Sequence, residues 1–189
     1  MKRKIKLIMI AIIAILVIFA VIAKCINLRE IILKNMYPKK YEEYVEKYAA
    51  QNNIDPLLIF SIIKAESNFN ENALSASEAK GLMQLMNTTA TEVANRISQE
   101  MTDNEDLYNP ETNIKIGVNY YSYLLDLYDG NMLLALTAYN AGIGNVNKWI
   151  ENGIIKKDGT DIENIPYKET NMYVRKIINN YKMYQNLYK

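Results

Sequence analysis

The sequence contains no histidine and only one cysteine among its 189 residues. Without histidine the chain cannot form a Ser-His or Cys-His nucleophile pair, and it lacks the commonest metal ligand. Because Cys25 stands alone, it can form neither an intrachain disulfide nor a cysteine metal cluster. Acid–base chemistry near neutral pH must therefore use a carboxylate, a lysine or a tyrosine. We expect no metal and no cofactor.

A concentrated basic surface is also lacking. Five of the 22 basic residues lie within residues 1–25, where there is no acidic residue. The rest of the chain has 17 basic against 21 acidic residues, a net charge of −4. No basic patch or basic–aromatic stripe is present, which argues against a nucleic-acid partner.

The first 25 residues contain one long apolar run. Residues 7–23 carry no polar side chain, and 17 residues is the lower limit for a membrane-spanning helix. The preceding basic residues hold the N-terminus inside, so the remainder faces outward. A secreted protein, cleaved after a weak Val21-Ile22-Ala23 signal site, is the alternative. A lipoprotein at Cys25 is disfavoured by Lys24. We favour an uncleaved single-pass anchor in the cell membrane, with an extracytoplasmic globular part.

Runs of alternating polar and apolar residues, typical of half-buried strands, are lacking too. The pattern predicts an all-α fold with a membrane anchor over residues 1–25, a stem over 26–40 and a helical domain over 41–189. Helix-capping signals are Asp55-Pro56, Asn109-Pro110 and the box Thr89-x-x-Glu92. The predicted helices span about 41–52, 56–66, 89–97, 110–130, 132–139, 146–150 and 168–188, with a turn at 140–144 and a loop at 151–165.

Glu66 ends the predicted apolar helix 56–66. The negative end of the helix dipole disfavours an ionised carboxylate at this position. An apolar wall from Leu82, Met83 and Met86 would raise the pKa of Glu66 further by removing water. Both effects favour a neutral carboxylic acid, although a single glutamate near a helix end is usually solvated.

The wider pattern around Glu66 is more specific, because four motifs follow in a fixed order. They are Glu66-Ser67-x-Phe69-Asn70 with Ala73, Ser75, Gly81-Leu82-Met83-Gln84-Leu85-Met86 and Thr89-Ala90; Asn109-Pro110 with Asn113-Ile114, Gly117 and Tyr120; Ala138-Tyr139-Asn140-Ala141-Gly142; and Ile165-Pro166 with Glu169-Thr170 and Tyr173-Val174. This series resembles the lytic transglycosylases of the soluble-transglycosylase type, a branch of the lysozyme-like superfamily. The resemblance covers roughly residues 50–180 and implies a lysozyme-like helical domain.

Three residues depart from the family pattern. Glu71 and Asn87 stand where the family often has proline, and Glu78 stands where it often has glycine. None of them removes a proposed chemical group. They bear on loop rigidity and sugar preference, and the two glutamates add negative charge near the expected cleft.

The resemblance implies cleavage of peptidoglycan glycan strands with Glu66 as the single general acid and base. The product would carry a 1,6-anhydromuramoyl end, formed with the help of the substrate's own acetamido group. The other carboxylates considered are Glu111, Asp126, Asp129 and Glu169, each of which is expected to be a surface or capping charge. The alternatives are a hydrolytic lysozyme-like muramidase and a non-catalytic glycan-binding subunit.

Four substrate-binding residues are predicted in the loop after Glu66. Ser75 and Gln84 are expected to hydrogen-bond the substrate or Glu66, with loop and helix-cap bonding as the alternative. Met83 and Met86 are expected to line the apolar side of the acid, with burial in the core as an equal alternative.

Three more are predicted in the later motifs. Tyr139 is expected to bring its hydroxyl near Glu66 or the acetamido group. Asn140 is expected to fix a turn or contact a sugar, and Tyr173 to hydrogen-bond Glu66 or the sugar. Simple core packing is the alternative for both tyrosines, because the chain has 15 of them.

Overall fold

The structure is a computed structural model that describes residues 9, 12, 15, 16, 18, 22, 24, 25, 28–99 and 104–189. It divides into two units, Met1–Pro38 and Lys39–Lys189. In the first unit, residues 28–36 are helical. Most of the predicted membrane span over residues 7–23 lies outside the described residues. Among the residues that are described, no helix is long and apolar enough to cross a bilayer. The anchor and the boundaries at residues 25 and 40 stay predictions.

The described residues of the second unit form helices joined by irregular segments, which confirms the predicted all-α class. Its described residues form seven α-helices: α1 Glu42–Gln51, α2 Pro56–Glu66, α3 Asn87–Arg96, α4 Pro110–Leu127, α5 Met132–Ala141, α6 Ile143–Glu151 and α7 Lys168–Tyr188. Two short 3₁₀ helices cover Asn104–Tyr108 and Ile162–Asn164. The described part of the chain contains no β-strand, and only isolated bridges join Leu74 to Lys80 and Lys80 to Leu85.

Local capping sets where two of the central helices begin. The Asp55 carboxylate accepts a hydrogen bond of 2.9 Å from the Leu57 amide, with Pro56 at the first position of α2. Asn109 caps α4 in the same way, accepting from the Thr112 amide at 3.0 Å. Both predicted caps are confirmed, so the start of α2 is fixed by residues next to it in the sequence.

The predicted capping box Thr89-x-x-Glu92 is wrong. The helix α3 begins at Asn87, after an extended Met86 that makes no side-chain cap. Thr89 therefore lies inside the first turn rather than before it. The short polar residues that satisfy the capping pattern are here part of the helix itself.

The predicted turn over residues 140–144 is also wrong in its extent. Helix α5 continues to Ala141, and α6 begins at Ile143. The change of direction falls on Gly142 alone, whose φ of 83° is available to glycine at little cost. The motif that reads as a turn is thus the last turn of one helix joined by one residue to the next.

Helix α2 is the centre of the unit. Seven of its 11 residues are buried, from Leu57 to Ile63, which is typical of a helix enclosed on all sides. Helix α7 runs antiparallel along it. The Tyr181 hydroxyl donates to the Asp55 carboxylate at 2.8 Å, and Asn180 donates to the Ser61 carbonyl at 3.4 Å. The C-terminal end of α2 therefore lies beside the first half of α7.

The segment after α2, residues 67–86, is held by one buried amide. The Asn113 side chain accepts from the Met83 amide at 2.8 Å and donates to the carbonyls of Lys80 and Leu107 at 3.0 and 2.8 Å. The close approach requires a glycine at Gly81, whose φ is 74°. This clamp fixes the segment that forms one wall of the cleft described below.

We expect Gly81→Ala to lower the free energy of unfolding by about 2–4 kcal/mol. An added Cβ would fall well inside van der Waals contact of the Asn113 amide and the Leu107 carbonyl, besides straining the backbone. Gly130→Ala is the control, because its φ is 78° but no atom lies within 4 Å of the added Cβ; it should cost only about 1 kcal/mol. Urea denaturation measures both, and equal losses would contradict the clamp.

Candidate active site

A cleft of about 470 Å³ opens beside the end of α2. Its lining comes from α2, the segment 67–86, the end of α5 and the start of α7. The lining residues are Glu66, Ser75, Ser77, Ala79, Gln84, Met86, Tyr139, Asn140, Ala141, Tyr167, Glu169 and Thr170. Hydroxyl, amide and carboxyl groups dominate this set, which suits a ligand rich in hydroxyl and amide groups.

Glu66 is the last residue of α2 and is half-buried at the floor of this cleft. The Tyr173 hydroxyl donates a hydrogen bond of 2.6 Å to its carboxylate. Burial raises the pKa of Glu66 from 4.5 to about 7, even though the Tyr173 hydrogen bond and the positive charge of Lys176 act in the opposite direction. The carboxyl group therefore exists in both protonated and ionised forms near neutral pH.

Two tyrosines, Tyr139 and Tyr173, lie next to this carboxyl. Tyr173 is buried and bonds it directly, while the Tyr139 hydroxyl donates to the Met83 carbonyl at 2.8 Å. Burial, together with the negative charge of Glu66, raises the pKa of each tyrosine well above 10. Both therefore stay neutral hydrogen-bond donors. The Tyr120 ring packs on Tyr139 with centroids 5.2 Å apart, which fixes its orientation.

Six of the eight residues predicted for the site line the cleft together. They are Glu66, Ser75, Gln84, Met86, Tyr139 and Asn140. A seventh, Tyr173, reaches Glu66 from the protein side. These residues come from four separate stretches of sequence, so their meeting is a property of the fold.

The side chains of Ser75 and Gln84 form hydrogen bonds to the backbone of their own segment, residues 67–86. The Ser75 hydroxyl accepts from the amides of Ser77 and Ala79 at 3.2 and 3.0 Å. The Gln84 amide donates to the carbonyls of Ala73 and Gly81 at 3.2 and 3.0 Å. These contacts correspond to the loop-bonding alternative. Since both side chains also line the cleft, their contact with substrate stays a prediction.

Met83 does not line the cleft, and its predicted contact with substrate is corrected here. Its side chain is fully buried and packs against Gly117, where even an added Cβ would collide with it. Only its carbonyl serves the site, as the acceptor for Tyr139. Met86 is different: it is 49% exposed and borders the cleft. The core alternative thus holds for one methionine only.

Several site features were not predicted from the sequence. Glu169 and Tyr167 line the cleft at the start of α7, and the Thr170 hydroxyl donates to the Asn140 side chain at 2.7 Å. Tyr167 is 49% exposed, with Trp149 packed edge-on against its ring at 4.9 Å. The available signal was the closing motif, which contains both Glu169 and Thr170. Glu169 was expected to be a surface or capping charge, and the structure places it on the cleft.

The other carboxylates considered lie elsewhere. Glu111 is bonded to Lys47 and Tyr48, each at 2.8 Å, and Asp126 and Asp129 are exposed outside the cleft lining. Among the residues that the structure describes, no three acidic or cysteine side chains are grouped to hold a metal ion. The carboxyl groups that line the cleft are therefore those of Glu66 and Glu169.

Comparison with known proteins finds relatives for most of the second unit. Residues 43–162 match the family model of the transglycosylase SLT domain. The soluble lytic murein transglycosylase of Salmonella typhimurium is 33% identical over 148 residues, which is 77% of this chain and 23% of the relative. The membrane-bound lytic murein transglycosylase C of Yersinia pestis is 35% identical over 116 residues, 57% of this chain and 32% of the relative.

The fold is similar to a solved structure as well. The X-ray structure of an inactive variant of the lytic transglycosylase Slt from Pseudomonas aeruginosa aligns with a TM-score of 0.75 and 32% identity, covering 82% of this chain and 25% of that one. The lysozyme-like helical fold expected from the sequence is confirmed. The chain spans about a quarter of the length of the soluble relatives that it matches.

Replacing Tyr173 with phenylalanine is expected to raise the pKa of Glu66 by about one unit, because it removes a hydrogen bond worth about 1 kcal/mol or more to the carboxylate. Carboxyl ¹³C NMR of glutamate-labelled protein measures the titration. Tyr167→Phe removes a cleft hydroxyl that is not bonded to Glu66 and should leave the pKa in place. A Tyr173→Phe protein with an unchanged pKa would contradict the bond.

The raised pKa also predicts how stability depends on pH. The stability contributed by the protonated carboxyl is fully present below pH 4.5 and is lost as pH rises through about 7. This loss is at most about 3 kcal/mol. Glu66→Gln cannot ionise, so between pH 4 and pH 8 it should gain up to about that amount over the parent in urea denaturation. Parallel stability curves would show that the carboxyl is not destabilised by burial.

Proposed function

Because the chain belongs to the transglycosylase SLT domain family, we propose that it is a peptidoglycan lytic transglycosylase in which Glu66 is the single acid and base. The observation that carries this proposal is the half-buried Glu66 carboxyl at the floor of the cleft, with a pKa of about 7 and a tyrosine hydroxyl at 2.6 Å. A group with this pKa can give and accept a proton at neutral pH. The homologues' names point to the same reaction on murein.

In the first step, protonated Glu66 gives its proton to the oxygen between N-acetylmuramic acid and N-acetylglucosamine. The bond from the muramoyl C1 to that oxygen breaks, and positive charge develops at C1. The 2-acetamido oxygen of the same sugar stabilises C1, which makes the route substrate-assisted. The leaving sugar departs with a new hydroxyl group, and Glu66 is left as a carboxylate.

In the second step, Glu66 acts as a base. It accepts the proton of the muramoyl C6 hydroxyl as that oxygen bonds to C1, which closes the 1,6-anhydro ring without consuming water. The Tyr173 hydrogen bond stabilises the carboxylate formed between the two steps. Glu66 ends the cycle protonated, so one carboxyl group performs both proton transfers.

The cleft residues are proposed to bind the glycan around Glu66. Ser75, Gln84 and Asn140 offer hydroxyl and amide groups for the acetamido and hydroxyl groups of the sugars. Met86 offers an apolar surface to a sugar face. Tyr139 lies beside the carboxyl. Because its hydroxyl proton goes to the Met83 carbonyl, its oxygen is proposed to accept a hydrogen bond from the sugar.

We also propose the cell envelope as the location of the reaction. The substrate lies outside the cytoplasmic membrane, and one relative is described as membrane-bound. The apolar residues 7–23 would serve as the anchor and residues 26–40 as a stem that carries the domain over 41–189 to the wall. The alternative of secretion after signal cleavage gives the domain the same substrate.

A hydrolytic muramidase is the second candidate, and one observation favours it. Glu169 is a second carboxylate on the same cleft, and most glycosidases that use water need two carboxyl groups. In that reaction Glu169 would activate a water molecule while Glu66 protonates the leaving oxygen. The products would then carry reducing ends in place of anhydro ends.

We expect the parent protein to release anhydromuramoyl-ended fragments from purified sacculi, as read by mass spectrometry. Glu66→Gln should lower the rate by at least about 1000-fold, since the amide keeps the shape but cannot deliver a proton. Glu169→Gln should keep the same products with a reduced rate. Glu163→Gln, an exposed glutamate outside the cleft lining, is the matched control and should behave as the parent.

Each other outcome selects another function. Reducing-end products, lost in both Glu66→Gln and Glu169→Gln, would establish the muramidase. Binding to sacculi without any cleavage, unaffected by Glu66→Gln, would establish a non-catalytic glycan-binding subunit.

A further inference from the structure

Helix α7 brings two donors to the end of α2. Tyr173 and Lys176 are three residues apart, so they lie on the same side of α7. The Tyr173 hydroxyl bonds the Glu66 carboxylate at 2.6 Å, and the Lys176 ammonium bonds the Ala65 carbonyl at 2.7 Å. A cation from a distant part of the chain is therefore fixed one residue from the proposed acid.

The end of a helix has carbonyl groups without partners inside the helix. In α2 the Ile63 carbonyl accepts hydrogen bonds from Ser67, from its amide at 3.0 Å and from its hydroxyl at 3.3 Å. The Ala65 carbonyl accepts its hydrogen bond from the Lys176 ammonium instead. Because this carbonyl belongs to the negative end of the helix dipole, a positive charge there is favourable, and it offsets the dipole at the position of Glu66.

We propose that Lys176 is a positioning residue, whose ammonium group fixes the last turn of α2 and sets the pH range over which Glu66 gives and takes its proton. A role of Lys176 in catalysis rests on the proposed function. Its bond to the Ala65 carbonyl and its expected effect on the titration of Glu66 do not rest on that function.

The charged and titratable groups around Glu66 come from three helices. Tyr173 and Lys176 face it from α7, where Glu169 also shares the cleft, and Tyr139 faces it from α5. On α2 itself, Lys64 donates to the Asn68 side chain at 3.2 Å. Burial raises the pKa of Glu66, whereas the Tyr173 bond and the charge of Lys176 lower it. Among the described residues, Lys176 is the cation whose charge lowers the pKa of Glu66, and it bonds the Ala65 carbonyl rather than the carboxylate.

This placement suits a group that must act first as an acid and then as a base. A lysine bonded directly to the carboxylate would keep Glu66 ionised and remove the acid. With no cation nearby, burial would hold the proton too tightly for the second step. A cation bonded to the neighbouring carbonyl gives an intermediate effect.

The test compares Lys176→Met, which removes the charge, with Lys176→Arg, which keeps it. Lys182→Met is the matched control, since it removes an exposed lysine of the same helix about 9 Å further along its axis. Carboxyl ¹³C NMR of the full chain follows Glu66, assigned by the signal absent from Glu66→Gln. We expect the titration midpoint to rise by about 0.5 unit in Lys176→Met and to stay unchanged in Lys176→Arg and Lys182→Met.

The same variants are then assayed on sacculi. In Lys176→Met the alkaline limb of the pH–rate profile should move to higher pH by the same amount as the Glu66 titration midpoint. Lys176→Arg should keep the profile of the parent. Salt at about 1 M should bring the parent midpoint toward that of Lys176→Met, because exposed charges are screened. An unmoved midpoint in Lys176→Met, or an equal shift in Lys182→Met, would overturn the inference. Absence of cleavage in the parent would overturn the proposed function and leave the NMR result standing.

Discussion

The hydrogen bond between Tyr173 and Glu66 is the contact on which the site depends. It joins the end of the most buried helix, α2, to the first half of α7, across 107 residues of sequence. Without it the carboxyl would end a helix where the helix dipole and burial both oppose its charge. With it the carboxylate is tolerated, and the pKa of about 7 reflects the balance between burial and this single bond, aided by the field of Lys176.

The absence of histidine gives this arrangement its chemical character. In many sites an imidazole is the group that titrates near neutral pH; here a carboxyl group is brought into that range by burial. Its neighbours are tyrosines, whose pKa values lie well above 10 because they are buried beside it. They therefore act as fixed neutral donors, and Glu66 is the group among them that changes its protonation near pH 7.

The cleft wall formed by segment 67–86 consists of irregular backbone rather than of a helix. Asn68, Phe69, Glu78 and Gln84 all have positive φ angles within the segment 67–86. Such conformations persist where the surroundings determine them, and here the Asn113 amide and the Gly81 contact supply that constraint. Glu78 takes a φ of 62° at a position where the family often has glycine, so this chain holds a strained residue beside its cleft.

The sequence by itself determined the features that arise within one helical turn. The capping residues Asp55 and Asn109 set the helix starts, and the apolar run after Pro56 placed Glu66 at a helix end. The family resemblance predicted Tyr173 as a partner of Glu66 or of the sugar, and the tertiary structure decided that it is Glu66. Only the tertiary structure decided that Met83 is buried against Gly117 and that a lysine bonds the carbonyl beside the acid. The physical reason is distance along the chain: capping and dipole effects act between neighbours, whereas these contacts exist only after α7 has packed along α2.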